Sequence, residues 1–214
     1  MEGAASVDAS QRAWGARALR VLRKPGAVFA TLRDDRDDVA FARQEAVTAL
    51  VFLAGIGGVL AAPATGRLLD DPAVDGLLIA VVAMVQGLIY GVFGYWLGGA
   101  LLLLGADFAG GAATYRQARH VLAFAAAPLA LSLLILWPLR VAIFGGDVFR
   151  SGGSDGGALG TVFVLGELAF IAWSTVLVVV GVRAALGLGW ARALGASMPL
   201  VAVPVALVLL AVLR

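Results

Sequence analysis

The chain has no cysteine, one histidine and one lysine, and only 14% of its 214 residues are charged. Without cysteine there is no disulfide, no thiolate nucleophile and no cysteine-held metal. A single histidine, His120, excludes a multi-histidine metal centre and is no argument for a catalytic base. There is no P-loop, no G-x-S-x-G, no H-E-x-x-H and no pair of acids at a defined spacing. Glycine-rich loops occur, but none follows a strand, so none suggests a nucleotide site. The expectation is a chain with no catalytic residue, no cofactor and no metal. Lipidation patterns are also missing: Glu2 follows Met1, and residues 1–9 carry no basic stretch of the kind that opens a cleaved signal peptide.

What the chain has in excess is apolar surface: 61% of its residues are hydrophobic. A soluble domain carries about 45–50% apolar and about 25% charged residues. The excess lies in separate uncharged runs of about 20 residues, which a soluble core does not need and a bilayer about 30 Å thick does. The chain therefore reads as all-α, a polytopic transmembrane bundle of five spans behind a cytosolic N-terminal segment over 1–44. The spans fall at about 46–62, 77–104, 121–144, 158–182 and 193–213. All would belong to one transmembrane domain, 45–214. The second run, 77–104, is about 42 Å long as a helix at 1.5 Å per residue, so it must tilt or project beyond the lipid. The third contains Pro128 and Pro138, and the fifth Pro199 and Pro204. Proline is tolerated in a membrane helix where neighbours re-satisfy the freed carbonyls.

From Ser10 to Lys24 the spacing is helical. Trp14, Ala18, Val21 and Leu22 share one face, while Arg12, Arg17, Arg20, Arg23 and Lys24 lie largely opposite. A basic amphipathic helix with an aromatic on its apolar side suits the surface of an anionic membrane or the end of the bundle. Pro25 restarts the chain as a helical first residue, and Val28, Phe29 and Leu32 form a second short apolar stripe. Asp34, Asp35, Arg36, Asp37 and Asp38 read as a solvated charged loop, and 145–157, GGDVFRSGGSDGG, as a flexible one.

Orientation follows from the basic residues that flank the spans. The N-terminal segment and the second and fourth loops hold eight, two and two of them, against one, two and one on the other side. The N-terminus is thus expected in the cytoplasm and the C-terminus outside. Arginine outnumbers lysine fifteen to one, and alanine and glycine are abundant. That bias suggests a bacterial genome of high GC content, and with it the cytoplasmic membrane.

Three groups of residues stand out. Gly87, Gly91, Gly94 and Gly98 lie on one face of the second span, where small residues let helix backbones approach in lipid. They point to helix packing within the bundle or at a homo-oligomer face. Glu167 lies inside the fourth span, where a carboxylate must be protonated or paired. Gln86 and Ser132 fall at a similar depth, so the three are expected to form a polar layer, either a structural hydrogen bond or a ligand or ion site. Arg140, near the outer end of the third span, is a candidate counter-ion to Glu167, but it is rather expected to snorkel to the outer surface. Tyr115, Arg116, Arg119 and His120 cluster at the inner end of the third span. They fit an interfacial anchor or a lipid or protein contact.

Two stretches resemble the Yip family, polytopic membrane proteins named for interacting with Ypt/Rab GTPases. In Gly110–Leu131, GGAATYRQARHVLAFAAAPLAL, the residues that carry the likeness are Gly110, Gly111, Thr114, Tyr115, Arg116 and Pro128. In AWSTVLVVVGVRAALGLGWARAL, from Ala172, they are Trp173, Ser174, Gly181, Arg183, Gly187, Arg192 and Ala193. LRKPGAVFATLRDD, with Pro25 and Phe29, is similar to the family's N-terminal approach. The resemblance implies five spans with a cytosolic N-terminus; its eukaryotic members imply vesicle traffic through Rab GTPases, its bacterial ones a fold without an assigned activity.

The expected function is a non-enzymatic membrane scaffold or adaptor that binds proteins or anionic lipid at its cytosolic face. The alternative is a small transporter, channel or lipid-handling protein with a polar site around Glu167. The expected partners are membrane lipid, a protein at the cytosolic face and a second copy of the chain, and no nucleic acid.

Overall fold

A computed structural model describes residues 19–41 and 43–212, with side chains at all of these except 38, 39 and 203–212. The described residues are helical, with no strand among them. After a helical stretch at 19–23, the helices are α1 (Pro25–Ala30), α2 (Asp37–Phe41), α3 (Gln44–Leu60), α4 (Gly76–Phe108), α5 (Tyr115–Ala125), α6 (Ala127–Phe144), α7 (Ala158–Leu186) and α8 (Trp190–Val212). Short 3-10 turns lie at Thr31–Arg33, Thr65–Asp70, Gly145–Phe149 and Ser154–Gly156.

Three helical segments are long and apolar enough to cross a membrane: Gly76–Phe108, Tyr115–Phe149 and Ala158–Leu186. Gln44–Leu60 is apolar but shorter, at 17 residues. The most apolar stretch of α4 is only 17% buried. Leu77, Met84, Tyr90 and Phe93 are among the side chains it turns outward, as a helix facing lipid on several sides must.

The third apolar run is not one continuous helix. It breaks at Ala126, just ahead of Pro128, which sits in the first turn of α6. Proline has no N–H to donate and disfavours helical conformation in the residue before it. Pro138 stays inside α6. The fourth run is helical to Leu186, four residues beyond its expected end, and stops at Gly187, whose φ of 66° is a left-handed conformation suited to glycine.

By contact the chain divides into two compact units. The first combines the described residues up to Thr48 with Tyr95–Ala125 and the chain from Thr175 onward. Its core holds Val21, Phe29, Leu32, Leu102, Val121, Phe124, Leu177 and Val182. Phe29 lies against Gly181 of α7, where an added Cβ would come within 3.0 Å of its ring. On α4, Gly105 lets the backbone meet the Ala196 carbonyl of α8, and Gly98 admits Leu122 and Leu200.

The second unit combines Ala49–Gly94 with Ala126–Ser174. Here α3 and α4 touch backbone to backbone. A Cβ on Gly55 would strike the Gly87 carbonyl, one on Gly87 would lie 2.7 Å from Ile56, and one on Gly91 2.6 Å from the Val51 carbonyl oxygen. Gly94 has open space around it. The four-glycine stripe therefore splits: Gly87 and Gly91 seat α3, Gly98 seats Leu122 and Leu200, and Gly94 packs on nothing within the chain.

Candidate functional site

The first polar cluster forms around the start of α5 in the first unit. Thr114 and Gln117 make a reciprocal cap: the Gln117 amide N–H donates to Thr114 Oγ1 at 3.1 Å, and the Thr114 N–H donates to Gln117 Oε1 at 3.0 Å. This sets Arg116 in the first turn of α5, where its side chain is partly exposed. Its Nε donates to Asp35 Oδ1 at 2.8 Å, its Nη1 to Asp37 Oδ1 at 2.6 Å and its Nη2 to the Asp35 carbonyl at 2.6 Å. Thr114 Oγ1 adds a 2.6 Å bond to Asp35. Part of the acidic run is therefore not free in solvent, because it pairs with an arginine about 80 residues away in sequence.

The same segment is fixed at other points. Arg33 Nε donates to the Ala184 carbonyl at 2.9 Å, filling one of the acceptors left over at the end of α7. Gln117 Nε2 reaches the Arg33 carbonyl at 3.4 Å. Arg43, 7% exposed, donates to the Thr31 and Asp34 carbonyls at 2.7 and 3.1 Å. Residues 31–37 are thus tied to α5 and α7 by side-chain bonds, several of them charge-assisted.

The guanidinium of Arg119 lies 4.0 Å from the Trp96 ring centroid, 4.7 Å from that of Tyr115 and 5.1 Å from that of Tyr95. Gly99 makes room for its stem, and Tyr115 OH donates to the Trp96 carbonyl at 2.6 Å. His120 is 2% exposed. Of the residues expected at this end to meet lipid or a partner, Tyr115, Arg116 and Arg119 hold other parts of the chain and His120 is buried. Arg20 and Arg23 are exposed, with Val21 buried between them; Arg12, Trp14 and Arg17 lie outside the described residues. Exposed apolar side chains in this unit include Leu19 at 54%, Phe41 at 82% and Phe108 at 83%.

The second cluster lies in the second unit. Ser132, fully buried on α6, is 3.1 Å from Glu167 Oε1 on α7 and 3.0 Å from the Leu129 carbonyl oxygen. Both oxygens accept from the Ser132 hydroxyl, whose single proton they share. Gln86 does not join them. It is exposed on α4, so the expected three-residue layer reduces to the Ser132–Glu167 pair.

Arg140 does not extend free to the surface. Its Nη2 pairs with Asp155 at 2.7 Å, in the turn before α7. Trp137, one turn earlier, stacks on Phe149 at 6.4 Å between centroids and under the Arg140 guanidinium at 5.2 Å. Leu136, Trp137, Arg140, Phe163 and Glu167 line a cavity of about 160 Å³, counting its open mouth.

The loops of this unit are also bonded. Asp70 accepts from the Ser151 N–H at 2.9 Å and from its hydroxyl at 2.5 Å. These bonds favour the ionised carboxylate and hold its pKa below the ordinary 3.8. Residues 145–157, which read as a flexible loop, are instead held by Asp70–Ser151, Arg140–Asp155 and Trp137–Phe149. Gly145 and Gly152, at φ of 58° and 70°, supply turns that other residues rarely adopt.

No group of three or more metal-binding side chains occurs among the described residues. Three helical segments long and apolar enough to cross a membrane define a helical integral membrane protein. The chain matches the model of the Yip1 domain over residues 19–213 and belongs to that family. No curated protein and no solved structure matches it.

Proposed function

We propose that this Yip1-domain protein is a non-enzymatic membrane scaffold that presents a fixed cytosolic face to a protein partner or to anionic lipid. One observation carries the reading. Residues 31–37 are bolted to α5 through Arg116, to α7 through Arg33 and to the residue ahead of α3 through Arg43, while Phe41 and Phe108 are left more than four-fifths exposed. Rigid placement of an exposed aromatic lowers the entropy lost on binding, and an aromatic beside basic residues also suits the headgroup layer.

In this reading α3, α4, α6, α7 and α8 are five spans in the cytoplasmic membrane, with the N-terminus inside and the C-terminus outside. The 17 residues of α3 are at the short end of what can span. The orientation draws support from the basic residues, which are more numerous in the N-terminal segment and in the second and fourth loops than in the segments between them.

The test is photo-crosslinking in membranes from probes placed at Phe41 and Phe108, with lipid-facing Leu134 as control. The scaffold reading expects discrete protein or headgroup adducts at Phe41 or Phe108 that the control does not give. Adduct patterns identical to Leu134 at both sites contradict it.

A further inference from the structure

We propose that the cavity beside Glu167 is a binding site for an alcohol hydroxyl, of the kind carried by a glycerol headgroup or by a small polyol. The inference goes beyond the scaffold reading and does not depend on it. It starts from two buried donors. Trp137 Nε1 and Arg140 Nε both lie away from solvent without a hydrogen-bond partner, and both residues line the cavity. Trp137 is 5% exposed. Buried N–H groups left unpaired are rare in folded proteins, and each needs an acceptor.

Charge decides what kind of acceptor fits. Arg140 is already neutralised by Asp155 through its Nη2. An anion would therefore enter with no free positive charge to meet it, and next to the Glu167 carboxyl. A cation would meet two N–H donors. A neutral hydroxyl satisfies all three lining groups. Its oxygen accepts from Trp137 and Arg140, and its proton goes to the Glu167 oxygen that Ser132 does not hold. The inner space suits a single group, since it has room for about one water molecule. Leu139 and Val162, the sequence neighbours of the lining residues Arg140 and Phe163, are 51% and 61% exposed, so a lipid can approach along the helices with its headgroup hydroxyl leading. Phe163 and Leu136 supply the apolar walls.

The assay uses full-length protein in detergent and native mass spectrometry against phosphatidylglycerol and phosphatidic acid of the same acyl chains. The two lipids differ in the glycerol that carries the hydroxyls. The expected result is about tenfold stronger retention of phosphatidylglycerol, the scale of one or two buried hydrogen bonds. Trp137→Phe keeps an aromatic side chain, though a smaller one, and removes the donor; Glu167→Met removes the acceptor. Both should abolish the preference. Glu167→Gln should keep it, because its amide donates to Ser132 and its carbonyl still accepts. Free glycerol serves as the second arm. If it raises the melting temperature of the native protein more than that of W137F, with no preference between the lipids, the source is a small polyol. Equal retention of the two lipids with equal glycerol response in native protein and W137F overturns the site and leaves the cavity to water. A preference that survives W137F overturns the assignment even if E167M fails to fold.

Discussion

At the scale of single residues, the side chains that matter are those that found a partner far off in sequence. Arg116 is legible as a basic residue near a membrane end, but its partners Asp35 and Asp37 lie in a run that reads as solvated. Nothing local in either stretch announces the pairing. The cap that aims Arg116 was legible, because Thr114 and Gln117 have the spacing of a capping box. Its signal is short and easily missed beside a glycine-rich loop. Arg116 is partly exposed, so solvent screens its ion pairs and their share of the stability is small. Arg116→Ala is expected to lower the melting temperature in detergent by about 2–4 °C and to raise hydrogen exchange across 31–37. Unchanged exchange in that segment would show that it does not depend on Arg116.

Asp70 gives a second prediction, in pH. Its folded pKa is depressed by the two bonds from Ser151. A group of this kind adds stability that is complete above its unfolded value of about 3.8 and is lost as pH falls through the lower folded value. Ser151→Ala removes the hydroxyl bond. It should therefore reduce stability at neutral pH and flatten the loss of stability between pH 5 and 2, read by thermal melts across that range.

At the scale of elements, apolar runs located the long helices, because few other sequences than membrane-crossing ones stay uncharged for so long. Of the boundaries that moved, two have a plain local cause. The break at Ala126 comes from Pro128, which was visible but read as tolerated inside a span. The extension of α7 to Leu186 comes from the left-handed Gly187, which ends the helix where its charge pattern alone does not. The glycines of α4 show the limit of periodicity. They share a face by spacing, yet Gly87 and Gly91 meet α3, Gly98 meets side chains and Gly94 meets nothing. Gly105, on the same face but beyond the four, makes the closest contact of the α4 glycines. Spacing gives the face, and only the neighbour's position says which glycine is needed. Gly105→Ala and Gly55→Ala force a methyl onto a carbonyl and should each cost about 1–3 kcal/mol. Gly94→Ala should be neutral or gain about 0.5–1 kcal/mol, the helix preference of alanine over glycine. Thermal melts of the three variants check this, and equal losses in all three would contradict the packing described.

At the scale of the whole molecule, composition was enough for the class and the resemblance for the family. The polar interior was only half legible. Glu167 and Ser132 share a depth and meet, as their places along neighbouring apolar runs allow. Gln86 shares that depth but points away, because depth along a helix says nothing of rotation about it. Trp137 and Asp155 were missed as neighbours of Arg140, because nothing in the sequence says that the turn ahead of α7 brings Asp155 back to that arginine.

The account rests most heavily on an ordered chain of five membrane crossings with the basic segments inside. The absence of cysteine makes this directly measurable. Single cysteines at Arg36, Asp71, Ala112, Ser151 and Leu188 can be labelled in intact cells with a membrane-impermeant maleimide. Labelling is predicted at positions 71 and 151 from outside, and at 36, 112 and 188 only after the membrane is opened. Labelling of 71 and 112 from the same side would contradict the five-span arrangement and the cytosolic face built on it.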